Sequence, residues 1–513
     1  MEQPSQAGRR FGGTTVRWIA TGLLALLAAV LRFRGLSWGE PYVYHPDEHN
    51  IVYSALGMVR ERSLDPDFFH YPSLLLYLQA VVSALLQLWI HADLRTDPAV
   101  HGLGPWDVAP EQFPFVLAGR ALVATTGVAS VAAVTVLWWR WFGWVAALVA
   151  GALLAVSPLH VESSHYLTTD VLAMLWVLLA VFWSVHAGEN ISALALASFF
   201  AGLAASTKYP AGVVWFLVLA AVAAKERPFR AALLSAVIFA AAFALTSPFV
   251  VLRPQRVWED LSVVRHNYAS GAWSPWNFWF YLSYLWHVGL GPVGCGLALL
   301  GWVWLWFARD MGNRWWRAAV AVLPWVYVAY VSSWSVRYER NLMPMLPLAL
   351  LFGGLALSKL LQQATSLRAR AAVAALLVAV TWTPLRSSQA LVRSLSSPDT
   401  RSLALQWIES NIPAGAHIAR EEYTPQVSGK RYRVTYVQVL GTRPYAWYLG
   451  SEVDYLVASS LIYERYRDHP TLGEFYRFAF ERLPLVAEFR PEANTTGPTV
   501  RILHVPRWRP EEE

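Results

Sequence analysis

Tyr44-His45-Pro46-Asp47-Glu48-His49 sets two adjacent carboxylates between histidines, a few residues past the first apolar run of the chain. Acids beside imidazoles are the residue types of proton transfer and of substrate orientation. So close to a bilayer they are costly, and such residues are kept where they serve a site. The same pair also fits a plain turn or helix cap. A second group of the same kind, His160, Glu162, His165 and Asp170, comes later in the chain. Neither histidine spacing matches a recognised metal-ligand set, which favours hydrogen bonding over coordination.

Composition says what must carry these residues. The chain has 513 residues, 56% of them hydrophobic, 14% aromatic and only 15% charged. Soluble domains average about 25% charged, so this is a polytopic α-helical membrane protein. The net charge of +7 does not signal nucleic acid, because the basic residues fall in short clusters between apolar spans, as the positive-inside rule requires. The single cysteine, Cys295, excludes an internal disulfide and a cysteine zinc site.

Basic Arg9, Arg10 and Arg17 precede an apolar run from Trp18 to Leu31, which reads as a retained anchor with a cytoplasmic N-terminus. A first outer loop, 32–116, follows. Within it, 73–90 is long enough to span, yet Gln79, Ser83 and Gln87 put a polar stripe down one face. The segment after it holds Asp93, Asp97, Asp107 and Glu111 against Arg95. Residues 73–90 are therefore read as interfacial or re-entrant, with crossing as the alternative. On that parity Arg140, Lys225, Arg227, Arg230, Arg309, Arg314, Arg317, Lys359, Arg368 and Arg370 all fall inside. The count is about eleven crossings, including one over 284–307, and both acidic clusters face outward.

Lys208, Arg337 and Arg340 lie on the outer face against the charge bias. Cations so placed are partners for an anion; snorkelling at a span end, or pairing of Arg340 with Glu339, is the plainer account. The transmembrane part is expected over 1–390. From 391 to 513 the charge content rises, and strand-like runs at 417–419, 433–440, 453–458, 485–489 and 500–505 with helices at 403–410 and 472–480 predict a small α/β domain. No Walker loop, GxGxxG or helical HExxH occurs.

Several ordered motifs join these features: Asp65-Pro66-Asp67-Phe68-Phe69-His70-Tyr71-Pro72, Ser157-Pro158-Leu159-His160, His165-Tyr166-Leu167-Thr168-Thr169-Asp170, Thr207-Lys208-Tyr209, Ser247-Pro248-Phe249 and Arg340-Asn341-Leu342-Met343-Pro344. In order and spacing the chain resembles the polyprenyl-phosphate-sugar-dependent membrane glycosyltransferases of the GT-C fold, which include the protein O-mannosyltransferases and the bacterial aminoarabinose transferase. The resemblance covers residues 40–260 and 335–350.

The resemblance implies a catalytic or orienting acid at Asp47, with Glu48 beside it, and a second acid at Asp170. Consecutive helical residues point about 100° apart, so Asp47 and Glu48 do not serve one atom; Asp47 is the expected base, and the alternative makes Asp47 a cap and Glu48 the substrate-facing acid. His45, His49, Tyr71 and His165 would contact substrate, His165 by holding Asp170 or the sugar. Lys208, Arg337, Tyr338 and Arg340 would meet the donor phosphate. The implied reaction moves one sugar, with inversion, from a polyprenyl-phosphate carrier to a glycan, lipid or protein acceptor outside a bacterial inner membrane. A divalent cation is allowed but not demanded. A transporter or flippase of a lipid-linked sugar would need polar groups in mid-span, whereas these spans are mostly Ala, Leu and Val. A non-catalytic envelope scaffold is the remaining alternative.

Overall fold

A computed structural model describes residues 6–91, 103–105, 107–268, 275–492 and 494–506, with side chains from residue 15. Asp93, Arg95, Asp97 and the side chains of Arg9 and Arg10 lie outside the described residues. The chain divides into two compact units. One comprises Met1–Arg34, Ile51–Leu85 and Ala118–Val392, the other Gly35–Asn50, Leu86–Leu117 and Arg393–Glu513. The segments Gly35–Asn50 and Leu86–Leu117 therefore sort with the C-terminal sheet rather than with the apolar helices of the first unit.

In the described residues five helices are long and apolar enough to cross a membrane: Thr15–Phe33, Pro110–Leu137, Pro228–Thr246, Glu339–Gln363 and Leu367–Leu395. The crossing expected over 284–307 is instead a bent pair, Pro275–Gly289 and Gly291–Leu305, meeting at 115°. Gly291 has φ +71°, a conformation open to glycine, and Pro292 then starts the second helix without needing an N–H partner. Apolar helices of 10–17 residues, among them Trp139–Ala155, Asp170–Ser184, Ile191–Thr207 and Tyr209–Val222, stand where further crossings were expected. By length alone, then, fewer than eleven helices qualify as full spans.

In the helix Leu74–Ile90 the polar stripe is turned inward. Gln79 and Ser83 are buried, and Gln79 Nε2 donates to Ser83 Oγ at 3.2 Å, while Val81, Leu85, Leu88 and Trp89 are exposed. The stripe faces protein and the apolar side faces out.

The helices Asp170–Ser184 and Ile191–Thr207 form the hairpin that matters most for the site. Asn190 begins the second by accepting from Ser192 N at 2.7 Å and Ala193 N at 3.3 Å, an N-cap contact. Ala193, Ala197, Ala201, Gly202, Ala204 and Ala205 are buried along it, small residues that let helix backbones approach closely. The two helices have 15 and 17 residues, so at about 1.5 Å rise per residue they are nearly equal in length. An antiparallel hairpin of matched arms returns the chain to the level where it began.

In the other unit five strands, β1 (His417–Arg420), β2 (Arg433–Tyr436), β3 (Tyr455–Ser459), β4 (Leu485–Phe489) and β5 (Val500–His504), form one sheet in the order β2-β1-β3-β5-β4. β1 runs parallel to β2 and β3, whereas β5 is antiparallel to both β3 and β4. Alternation along β3 sends Leu456 and Ala458 to a core with Phe475 and Tyr476 of the helix Pro470–Arg482. It sends Val457 to a core with Ala404 and Ile408 of the helix Thr400–Asn411. Helices cover both faces, as a strand buried on both sides requires.

Candidate active site

The hairpin brings together two residues that lie 38 apart in sequence. Asp170 is the first residue of its helix, where the exposed N–H groups and the helix dipole favour a carboxylate. Lys208 ends the returning helix in an extended conformation, φ −149° and ψ 115°. Its Nζ donates to Asp170 Oδ1 at 2.5 Å, with the two side chains 14% and 3% exposed. A lysine ammonium has three N–H bonds and Asp170 engages one of them. The arrangement is a cation held in place by a buried acid, able to meet an anion with its other donors.

His165 does not hold Asp170. Its Nδ1 lies 2.8 Å from Val161 O and its Nε2 3.0 Å from Arg34 O, so each ring nitrogen faces a backbone carbonyl and the neutral ring donates to one of them. Burial lowers its pKa, with the carbonyls opposing. His160 is likewise structural: its Nδ1 sits 2.8 Å from Arg32 Nη2. Burial, then the Arg32 charge, keeps it well below the ordinary histidine value. As Arg32 can only donate, His160 Nδ1 is the acceptor and its proton is on Nε2. Arg32 also donates to Leu154 O and Ala155 O, each at 3.0 Å, which ties the first long helix to the end of Trp139–Ala155.

Glu162 had no assigned role from sequence beyond its place in the acidic group. Burial raises its pKa, the Glu339 charge adds to this and Arg340 opposes it, so the two glutamates and Arg340 lie within electrostatic reach of one another. Arg340 also stands with its guanidinium carbon 4.7 Å from the centre of the Tyr338 ring. Arg337 is exposed and lies 5.8 Å over Phe280.

The loop containing Tyr71 is clasped by side chains whose spacing in the sequence carries no signal. Arg253 Nη1 reaches Asp65 Oδ2 at 2.6 Å and Asp67 Oδ1 at 2.9 Å. Asp260 Oδ2 accepts from Phe69 N at 2.8 Å while its Oδ1 lies 3.2 Å from Arg256 Nη1. Ser247 Oγ accepts from Ser73 N at 2.9 Å. Tyr209, next to Lys208, donates its hydroxyl to Phe69 O at 3.3 Å. The loop is thus hydrogen-bonded to the residue that follows the lysine, and Tyr71 packs 5.8 Å from Phe68 within it.

The first acidic pair lies in the other unit. The helix Glu48–Glu61 starts at Glu48, which is fully buried, while Asp47 just before it is half-buried. Asp47 N donates to His45 Nδ1 at 3.3 Å, and His49 Nδ1–H donates to Pro46 O at 2.5 Å. Burial lowers the His49 pKa, against the Pro46 bond and the charges of Asp47 and Asp107. Of the two acids Asp47 is the more accessible. Among the described residues no group of three or more His, Cys, Asp or Glu is arranged to hold a metal.

Comparisons with known proteins bear on the fold that carries these residues. Residues 116–252, which include the Asp170–Lys208 hairpin, match the family model described as dolichyl-phosphate-mannose-protein mannosyltransferase. No curated protein sequence matches the chain. Among solved structures it is similar to ArnT from Cupriavidus metallidurans in the apo state, with a TM-score of 0.57 and 14% identity over 96% of this chain and 98% of that one. ArnT bound to undecaprenyl phosphate gives a TM-score of 0.56 and 13% identity, with the same coverage. The Archaeoglobus fulgidus oligosaccharyltransferase, in complex with Zn and sulfate, gives 0.53 and 13% over 90% of this chain and 69% of that one. Apolar helices, a C-terminal sheet unit and end-to-end likeness to these structures make this chain a membrane protein of the GT-C glycosyltransferase fold.

Proposed function

We propose that the protein transfers one sugar from a polyprenyl-phosphate carrier to an acceptor hydroxyl or amine, with inversion, on the extracytoplasmic side of a bacterial inner membrane. The observation that carries this reading is the buried Asp170–Lys208 pair, seated in the segment that matches the mannosyltransferase model. It is supported by likeness to a structure that binds undecaprenyl phosphate.

In this mechanism the acceptor oxygen or nitrogen attacks the anomeric carbon and gives its proton to the Asp47 carboxylate. The bond from that carbon to the phosphate oxygen breaks, and its electron pair leaves with the polyprenyl phosphate. Attack from the opposite face inverts the centre. Charge growing on the departing phosphate is met by Lys208 and Arg340, with Arg337 and Tyr338 at the exposed rim; fixed donors of this kind are worth about 10²- to 10³-fold each. Asp170 orients Lys208 and is a positioning residue. A proton acceptor at Asp47 contributes roughly 10²- to 10⁴-fold.

Purified protein in detergent, given polyprenyl-phosphate sugar and no ion gradient, is expected to release polyprenyl phosphate and form a glycosylated product. Asp47→Asn is expected to abolish product formation. Near wild-type turnover by Asp47→Asn and Asp170→Asn together would overturn the assignment.

A further inference from the structure

A strand at the edge of a sheet presents backbone N–H and C=O groups to whatever lies beside it. In the order β2-β1-β3-β5-β4, β2 has β1 on one side and, among the described residues, no strand on the other. Backbone groups of successive strand residues point to alternate sides. Arg433 N donates to Ala416 O at 3.0 Å and Val437 N to Arg420 O at 2.9 Å, so the odd-numbered residues of β2 face β1. The N–H and C=O groups of Val434 and Tyr436 therefore point outward.

Natural sheets guard such an edge with charge, and Lys430, Arg431 and Arg433 lead into β2. What a guard does not need is a cavity. One of about 550 Å³ lies along this edge, partly open to solvent and within the size range of ligand sites. Its walls are residues 435–438 of the strand and its continuation, with Thr442, Arg443 and Trp447 beyond it. All of them belong to one compact unit. Trp447 is half-buried, and the Arg443 guanidinium carbon stands 5.3 Å from the centre of its ring, so the wall combines an aromatic plane with a cation. Arg433 is paired with Glu452 at 3.4 Å. Lys430, Arg431 and Arg443 are exposed and in no ion pair among the described residues, which leaves the edge basic at both ends.

These features define the occupant. Outward N–H and C=O groups at strand spacing are matched by another polypeptide backbone, whose donors and acceptors repeat at the same interval, while a pocket beside the edge takes a side chain and gives specificity. A saccharide carboxylate would meet Arg443 but not the alternating backbone groups. A second copy of this chain is disfavoured, because β2 paired with itself would set lysine and arginine against like charge. We infer that β2 takes up an acidic, extended segment of a partner protein as a sixth strand, with one partner side chain seated in the cavity against Trp447. The inference stands apart from the transfer reaction proposed above, and its test reads binding without donor lipid.

The test uses full-length protein in phosphatidylcholine nanodiscs and short fluorescein-labelled peptides: one of alternating glutamate and valine with a central phenylalanine, the same with lysine for glutamate, and the acidic peptide N-methylated throughout, which removes its backbone donors. Alginate oligosaccharide is a fourth probe. Anisotropy gives affinity, and amide hydrogen exchange over residues 433–438 reports whether the strand edge itself is covered. The acidic peptide is expected to bind at least tenfold tighter than the lysine and N-methylated forms and to slow that exchange at least tenfold. Arg443→Glu, at an exposed position, and Trp447→Ala are each expected to weaken it at least fivefold. Absence of binding by the acidic peptide overturns the inference, as does equal binding of all three peptides. Binding that leaves the exchange over 433–438 unchanged, or that ignores Arg443→Glu, overturns it too. Capture of alginate alone would give the edge to a polysaccharide and reject the peptide.

Discussion

If Asp170 acts only by holding Lys208, removing either residue should damage the same contact. The pair is separated by 2.5 Å and the side chains are 14% and 3% exposed, so water screens it little. Breaking a buried pair from one side costs about 3–5 kcal/mol because the survivor is left charged and unpaired. Asp170→Asn and Lys208→Met should each lower kcat/KM for transfer, and the double variant should lose far less than the product of the two losses. Residues in direct contact couple by about 0.5–3 kcal/mol. For a contact this short and buried the upper part of that range applies, which puts the shortfall at about 30- to 150-fold. The assay is release of polyprenyl phosphate from a defined sugar donor by the four proteins in the same detergent, with melting curves showing that each is folded. Losses that simply multiply would refute the reasoning and give Asp170 a chemical role of its own.

Three further outcomes are expected. Asp260→Ala removes the acceptor for Phe69 N, leaves a buried donor unpaired at about 1–3 kcal/mol, and should speed proteolytic cleavage within residues 61–73. Arg401→Ala strands the buried Asp399 carboxylate and uncovers the Tyr44 ring, 3.8 Å from the guanidinium; the C-terminal unit should lose about 3–5 kcal/mol by thermal melting. Arg401→Lys should recover only part, since an ammonium cannot fork onto a carboxylate. Glu421 is fully buried and accepts from Leu440 N at 3.0 Å, Ser459 N at 2.8 Å and the Tyr476 hydroxyl. Burial outweighs these donors and pushes its pKa up to about 8 from an ordinary 4.5. The folded state then holds a proton that the unfolded state has released between those values, so stability is full below about pH 4.5 and falls as pH rises to about 8, with a slope of ~1.4 kcal/mol for each pH unit in between. Melting of the wild type should drop across that window and Glu421→Gln should flatten the profile; a flat wild-type profile would refute it.

Much of the protein's character follows from local chemistry. Low charge and long apolar runs demand a membrane, and alternation with turn residues between 417 and 505 marks the strands of the C-terminal sheet, because each of these patterns acts within a few residues of itself. Asp170 and Lys208 stand out as charges at the ends of apolar helices, yet their pairing depends on two helix arms of nearly equal length and on Asn190 turning the chain between them. The contact of His165 with Arg34 O and the clasp of Arg253 and Asp260 on the 65–73 loop left no trace in spacing. Each joins residues separated by tens to hundreds of positions, and only packing decides which of many polar groups meet. The polar stripe on Leu74–Ile90 shows the same division: helical period and composition are written in its residues, but which face meets protein and which is exposed is set by the helix that packs against Gln79.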